Sequence, residues 1–228
     1  SVILNRQNRS TRAQSTKNEK PEMTQTTPLH GANAARRFFL VAALSCVVLS
    51  SATARADYEE GVNAAFDGDY DTAFREFSAA AEEGLMLAQY NLGILYFTGR
   101  GVEADTKQAF RWTLAAAEQG HTAAQFNVAS LFFTGEGTKR DPERGAQWYA
   151  RAARAGHPQA AAALAQVYEE GDGVAPDLVT AHAWASYAVL NEAEGAQSYR
   201  ESLESKLDAD QLAKARRLFA RWQIQVDP

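Results

Sequence analysis

A strict internal period constrains this chain more than any other feature of its sequence. Residues 69–104, 105–140 and 141–176 align with one another over 36 residues each, without a gap. A period of this length predicts stacked copies of one supersecondary unit, each unable to bury its apolar face alone. The columns shared by the three blocks are small residues: Ala81, Ala117, Ala153; Gly84, Gly120, Gly156; Ala88, Ala124, Ala160; Gly99, Gly135, Gly171; and Gly101, Gly137, Gly173.

The first part of each block has the pattern of an amphipathic helix. Ala73, Phe77 and Ala81 recur at intervals of four residues, which places them on one helical face. An aspartate opens every block, and aspartate is a preferred N-cap. Asp105 is followed three residues later by Gln108, the spacing of a capping box. The glycine column that begins at Gly84 predicts where these first helices end.

A second helix is expected in the rest of each block. It is predicted to resume at the alanine column formed by Ala88, Ala124 and Ala160. Gly99-x-Gly101 and its two copies then predict a turn into the next block, because glycine readily adopts the positive φ that ends many helices. The same glycines are not read as a phosphate loop, which would need a preceding strand and a single copy.

The flanks of the repeats extend this pattern. Residues 57–68 predict a leading capping helix, and 177–190 predict a fourth first helix. Residues 191–228 predict C-terminal capping helices: one that continues through Leu207, then one that Asp208 and Gln211 cap. The predicted fold class is therefore all-α, a superhelical solenoid of antiparallel helix pairs.

The repeated residues resemble the Sel1-like repeat, a relative of the tetratricopeptide repeat. The resemblance covers about residues 69–190, with Glu76 standing where tryptophan is expected and Gly145 where alanine is expected. It implies a scaffold that binds other proteins, often in bacterial envelopes, and implies no reaction and no cofactor. The residues that match most fully are Ala109, Trp112, Ala116, Ala117, Gly120, Ala124, Val128, Ala129, Phe132, Gly135 and Gly137.

The N-terminal region has the pattern of an export signal. Arg36 and Arg37 precede an uncharged, mostly apolar run over residues 38–49, and Ala54-Arg55-Ala56 is a small-x-small cleavage site. We expect residues 23–56 to be a signal peptide cleaved after Ala56, by either the Sec or the twin-arginine route, and residues 1–22 to be disordered or upstream of the true start. A run of this length is short for a membrane anchor, so a periplasmic or secreted protein is predicted.

Charge excludes one class of partner. Residues 57–228 contain 15 Lys and Arg against 26 Asp and Glu, a formal charge of −11. A surface of this sign repels phosphate backbones, so nucleic-acid binding is not expected. The basic cluster of Lys214, Arg216, Arg217 and Arg221 is predicted to be a solvated helix face.

The remaining candidate residues are assigned structural roles. Trp112, Trp148 and Trp184 are predicted to be core rather than a recognition strip, and His121 and His157 to be turn or cap residues rather than metal ligands. His182 is predicted to be packed or to face the groove. Glu169, Glu170 and Asp172 are expected to be solvated charges without catalytic partners. No catalytic, cofactor or metal residue is predicted.

The function predicted from the sequence is an exported scaffold, not an enzyme, that binds another protein or peptide in its concave groove. Polar side chains between the structural columns of the first helices are the candidates for binding: Arg75, Arg111, Gln147 and Arg151. The alternative is a cell-wall or β-lactam-related enzyme or accessory that binds peptidoglycan. Binding to purified sacculi distinguishes the two, and the sequence leaves the partner and the oligomeric state open.

Overall fold

Ten helices follow one another in the computed structural model, which describes residues 53–225, and no strand occurs among those residues. The predictions for residues 1–22 and for the signal peptide up to residue 52 lie outside this range. The prediction of an all-α solenoid of antiparallel helix pairs is confirmed. The helices are α1 (53–67), α2 (Tyr70–Glu82), α3 (Met86–Thr98), α4 (Thr106–Glu118), α5 (Thr122–Thr134), α6 (Pro142–Arg154), α7 (Pro158–Glu170), α8 (Leu178–Leu190), α9 (Ala196–Glu204) and α10 (Ala209–Gln225).

Aspartate side chains cap the first helices, as the sequence predicts. In each case a carboxylate oxygen accepts a hydrogen bond from a backbone N–H of the first turn, where four such donors otherwise lack partners. The Oδ1 atoms of Asp69 and Asp141 lie 3.1 Å from the backbone nitrogens of Thr72 and Arg144. Asp105 and Asp177 cap α4 and α8 in the same way.

The second helices begin two residues earlier than the sequence predicts. They start at Met86, Thr122 and Pro158 rather than at the alanine column. The reason is that Leu85, His121 and His157 have extended backbone angles and act as N-caps, so the helical conformation resumes directly after them.

The glycine turns after the second helices are confirmed, and one glycine of each turn is required by a close approach. Gly99, with φ of 68°, ends α3 and its N–H donates to the Leu95 carbonyl. Gly101 also has positive φ, and a Cβ atom there would overlap the Tyr70 carbonyl at the start of α2. Gly137 lies against the Thr106 carbonyl in the same way. Each turn therefore rests on the first helix of its own pair.

Each second helix packs more extensively on the first helix of the next pair than on its own partner, so α3 with α4, α5 with α6 and α7 with α8 are the most intimate contacts. Small residues permit this approach. A Cβ added at Gly93 would lie 2.5 Å from the Thr113 hydroxyl, and one added at Gly145 would lie 2.6 Å from the Phe133 ring. The pairs therefore interlock along the stack.

The C-terminal helices close the array. The predicted fourth first helix is α8, but α9 ends at Glu204 rather than at Leu207, because the chain turns there toward the next cap. Asp208 and Gln211 form the predicted capping box, with bonds of 3.0 and 2.7 Å in the two directions. Helix α10 then packs on α8, with the rings of Trp222 and Trp184 4.4 Å apart.

Helix α1 is longer than the predicted capping helix. It runs without a break through the predicted cleavage site, and Ala54 is 3% exposed. Farther along α1, the ring of Tyr58 lies 5.7 Å from that of Phe77 in α2. Cleavage after Ala56 would remove the first described turn of α1 and leave the Tyr58 contact in place.

His121 caps α5 with its ring, as the sequence predicts for this residue. Its Nδ1 lies 3.1 Å from the backbone nitrogen of Ala124 and accepts that N–H, and its ring stacks on Tyr90 at 4.2 Å. His157 occupies the same position before α7 and stacks on Phe126, but its Nδ1 makes no hydrogen bond. Burial lowers the pKa of both imidazoles.

Replacing Gly101 with alanine should destabilise the protein more than the same change at Gly84. Both glycines have positive φ, but a Cβ at Gly84 meets nothing within 4 Å, whereas one at Gly101 overlaps the Tyr70 carbonyl. Gly84→Ala should cost about 1–2 kcal/mol of backbone strain, and Gly101→Ala about 1–3 kcal/mol more. Urea denaturation followed by circular dichroism measures both, and equal losses would contradict the close approach.

Acidification should weaken the His121 cap. The folded state favours the neutral ring, so the stabilisation is complete above the unfolded pKa of about 6.5 and is lost as pH falls from there through the lowered folded pKa. Between pH 7.5 and 5.5, His121→Asn, which caps without ionising, should retain about 1 kcal/mol more stability than the unaltered chain. His157→Asn should retain less, because His157 makes no cap bond. Denaturation at both pH values tests this, and identical pH dependence in the chain with His121→Asn would refute it.

Candidate functional site

The four residues predicted to bind a partner all lie on first helices and all are exposed. Arg75, Arg111 and Gln147 occupy one column, 36 residues apart, on α2, α4 and α6. Arg151 lies one turn farther along α6 than Gln147. The buried faces of these helices point the other way: Ala73 and Ala109 are 0% and 1% exposed. We call this exposed side of α2, α4 and α6 the first-helix face.

The tryptophan column borders this face and is mainly core, as predicted. Trp148 and Trp184 are 7% and 3% exposed, while Trp112 is partly buried against the N-terminal part of the core. Arginines lie over these rings. The Cζ atoms of Arg111 and Arg151 are 5.0 and 4.5 Å from the ring centroids of Trp112 and Trp148. The edge of the core and the exposed face are therefore joined by cation–π contacts.

The first repeat differs because it has Glu76 in place of tryptophan. The Arg75 Nε lies 2.8 Å from a Glu76 carboxylate oxygen, so this arginine is paired within its own helix. An exposed pair of this kind contributes little to stability, since water and salt screen it. It does neutralise the charge of Arg75, which makes α2 a weaker anion site than α4 or α6.

Four arginines of α4 and α6 form no ion pair with any residue of the described range 53–225. They are Arg111, Arg144, Arg151 and Arg154. Each guanidinium lies 4.5 to 5.9 Å from the centroid of an aromatic ring. Stacking uses the flat side of a guanidinium and leaves its in-plane N–H groups available to carboxylates. Arg144 and Arg154 were not predicted from the sequence. Arg154 contacts the ring of Trp184 in the next repeat, and an alignment of the repeats does not show contacts between them.

Helix α10 shows how a helix packs on this type of surface. On α8 it contacts Trp184 and Tyr187, which stand 36 residues after Trp148 and Arg151. The contacting residues of α10 are Trp222 and Phe219. Helix α10 therefore covers Tyr187, which stands at the position of the exposed Arg151. The predicted solvated face is confirmed, since Lys214, Arg216, Arg217 and Arg221 are exposed on α10.

His182 is a packed residue, in line with the sequence reading. It is 1% exposed, and its Nε2 donates to a Glu204 carboxylate oxygen 3.1 Å away. That hydrogen bond lowers the pKa of Glu204. The bond links α8 to α9, and no described group beside it completes a catalytic arrangement; the glutamate also lies 3.8 Å from Arg200.

The acidic turn is not simply solvated charge, and the prediction is wrong for two of its three members. Glu169 accepts hydrogen bonds from the Lys206 ammonium and, at 2.6 Å, from the Tyr199 hydroxyl. The bond from Lys206 lowers the pKa of Glu169. Asp172 pairs with Arg140 at 2.6 Å. The partners lie 30 or more residues away in sequence, which is why the local pattern does not reveal them.

A cleft between α3 and α5 was also missed. It measures about 220 Å³, and its floor is formed by α4. Its lining includes apolar and small residues such as Ile94, Phe97 and Leu131 and polar residues such as Thr113, Asn127 and Glu136. None of the four predicted binding residues lines it, so the two surfaces are separate candidates.

Comparison with known proteins identifies the repeats. The Sel1 repeat family matches residues 87–121, 122–157 and 158–191. Each match begins at a second helix and ends after the next first helix, which is the most closely packed helix pair. A comparison with curated proteins found no significant match. Within residues 53–225, no helix has both the length and the apolarity needed to cross a bilayer.

Two solved structures are similar. One is a protective antigen of uropathogenic Escherichia coli with an SLR fold, 28% identical over 75% of this chain, with a TM-score of 0.65. The other is a Sel1 repeat protein from Oxalobacter formigenes, 30% identical over 66% of this chain, with a TM-score of 0.58. The chain spans 38% of the first protein and 64% of the second. The chain therefore contains three Sel1 repeats, at residues 87–191, in a fold similar to that of these two proteins.

Proposed function

We propose that this protein is an exported, non-enzymatic scaffold that binds another protein or peptide along its first-helix face, in the concave groove of the solenoid. Sel1 repeat proteins generally bind other proteins, which supports the class of function. The observation that carries the proposal is the set of stacked arginines on α4 and α6, which have no acidic partner among residues 53–225. They give this face a positive charge in a chain whose formal charge is −5.

The partner segment is expected to carry carboxylates. A guanidinium held against an aromatic ring has little freedom left to lose, so less conformational entropy is spent when it binds. Hydrogen bonds between arginine and carboxylate are stronger than neutral ones and are often bidentate. Arg111 and Arg151 are the principal binding groups in this proposal. Gln147, which lies between them in sequence, adds a neutral amide that can form hydrogen bonds. Arg75 is secondary because Glu76 already neutralises its charge.

The packing of α10 on α8 supports a helical or extended segment as the occupant. Trp184 and Tyr187 accept an amphipathic helix from the same chain at positions equivalent to Trp148 and Arg151. A partner helix on α4 and α6 would meet fewer exposed rings and more arginines than α10 meets. Its acidic residues would then contribute more to recognition than its aromatic residues.

Export is part of the proposal, and the sequence supports it through the paired arginines, the apolar run of residues 38–49 and the Ala54-Arg55-Ala56 site. N-terminal sequencing of the protein isolated from the periplasm or the medium tests it. Asp57 is the expected first residue. Recovery of the uncleaved chain from the cytoplasm would refute export without affecting the binding face.

Charge reversal at Arg111 and Arg151 should reduce partner capture at least tenfold. Two charge-assisted hydrogen bonds contribute about 1.5–3 kcal/mol each, so loss of either would exceed a tenfold change. The measurement is crosslinking in intact cells followed by quantitative identification of the captured protein. Lys139→Glu and Arg140→Glu together make the same charge change at exposed positions between α5 and α6 and should leave capture unchanged.

Unchanged capture when Arg75, Arg111, Gln147 and Arg151 are all altered would refute the assignment of this face, provided circular dichroism shows an intact fold. Sedimentation with purified peptidoglycan sacculi provides the contrast with a glycan-binding role. A protein scaffold should remain in the supernatant.

A further inference from the structure

The cleft between α3 and α5 exists because one repeat lacks an aromatic ring that its neighbours have. Phe77, Thr113 and Tyr149 occupy the same column, 36 residues apart, on α2, α4 and α6. The Phe77 ring packs against Tyr58 of α1 at 5.7 Å, and the Tyr149 ring packs against Phe133 of α5 at 5.4 Å, so each ring contacts an aromatic residue of the helix that precedes it. At the middle junction only the small Thr113 is present, and the cleft lies beside it.

The neighbouring repeat indicates what the missing ring would contact. Tyr149 stacks on Phe133 with an interplanar angle of 21°. The residue equivalent to Phe133 is Phe97, which lines the cleft and is 50% exposed because no ring covers it. An apolar cavity of about 150 Å³ suffices to hold a benzene ring. The cleft, at about 220 Å³, has room for one aromatic side chain.

The floor of the cleft provides an unused polar group. Thr113 is 5% exposed, and its hydroxyl lies at the floor of the cleft without a hydrogen-bond partner among the described residues, where water can reach it. A bound donor or acceptor can replace that water with a direct hydrogen bond. The ring that suits this site therefore carries a polar group at its far end, as the phenol of tyrosine does.

The surroundings favour a ring presented by a polypeptide. Leu87, Ile94 and Phe97 lie on one side of α3 and are 38% to 50% exposed, so an apolar strip leads into the cleft. A free phenol would fill the cleft and leave this strip uncovered, whereas a peptide would cover both. Exposed apolar patches beside a pocket are typical of protein-binding sites.

We propose that the cleft between α3 and α5 binds a tyrosine side chain of a partner polypeptide, with its ring against Phe97 and its hydroxyl bonded to Thr113. The site is separate from the first-helix face and does not depend on the arginines of α4 and α6. The partner is thus held at two places, one through carboxylates and one through a ring.

Thr113→Tyr is the direct test, because the chain itself accommodates tyrosine in this column at Tyr149. The probes are N-acetyl-tyrosine-methylamide and a seven-residue peptide with one central tyrosine flanked by leucines, titrated into the full chain and followed by backbone NMR shifts of Gly93 and Thr113. Thr113→Tyr should weaken binding of both probes at least tenfold and raise the melting temperature. Glu118→Tyr, which adds the same ring at an exposed position of α4, should change neither.

Thr113→Val and Phe97→Ala separate the contribution of the hydrogen bond from that of the ring contact. Neither substitution fills the cleft. Thr113→Val should weaken the tyrosine probes about threefold to tenfold and leave the phenylalanine versions unchanged. Phe97→Ala should weaken both. Unchanged binding in Thr113→Tyr would overturn the proposal, as would a peptide that binds no more tightly than the capped amino acid, since a free ring would then be the occupant.

Discussion

The close approach of each second helix to the following first helix is the contact on which the rest of the structure depends. It requires residues without bulk at the crossing, and Gly93 and Gly145 provide them where even a methyl group would collide with the facing side chain. The alanine columns serve the same purpose within the pairs, at 0% to 1% exposure. Because packing in protein interiors is dense, this spacing determines where the larger side chains lie, including the tryptophans that border the first-helix face.

Local features were predictable, since their causes lie within a few residues of sequence. The aspartate caps, the capping box of Asp208 and Gln211 and the glycine turns all follow from short-range hydrogen bonding and backbone conformation. The predicted start of the second helices was two residues late. An extended residue such as His121 acts as the N-cap there, and the sequence gives no strong signal for it. The predicted end of α9 was three residues late for a related reason. The turn after Glu204 leads into the capping box of Asp208 and Gln211, so its position depends on that cap.

The functional surfaces were only partly predictable. Arg111 and Arg151 were identified as exposed polar positions, but their stacking on Trp112 and Trp148 depends on side-chain placement. The pairing of Glu169 with Tyr199 and Lys206 depends on where the C-terminal helices pack. The cleft was missed although its cause is visible in the alignment, where Thr113 stands between Phe77 and Tyr149. The alignment does not show whether neighbouring side chains fill the volume of a missing ring, and this depends on how the helices pack.

The two sides of the array consequently have different chemistry. Charged groups are concentrated on first helices α2, α4 and α6, whereas α3 and α5 contain no charged residue at all. In the two proposals made above, charged groups on the first helices and apolar groups on the second helices would therefore contact different parts of a partner.

The buried apolar residues form two clusters that meet at α3 and α4. One comprises residues of α1 to α3 and the other begins at Ala116 of α4; Trp112 of α4 packs against the first, and Met86 of α3 packs against the second. The free energy needed to unfold a part of the chain locally increases with the apolar area buried there. It therefore differs between the two clusters. The N-terminal cluster is the smaller of the two, so opening should begin among α1 to α3. It should not begin at the junction of α3 and α4, whose helices form one of the most intimate contacts of the array.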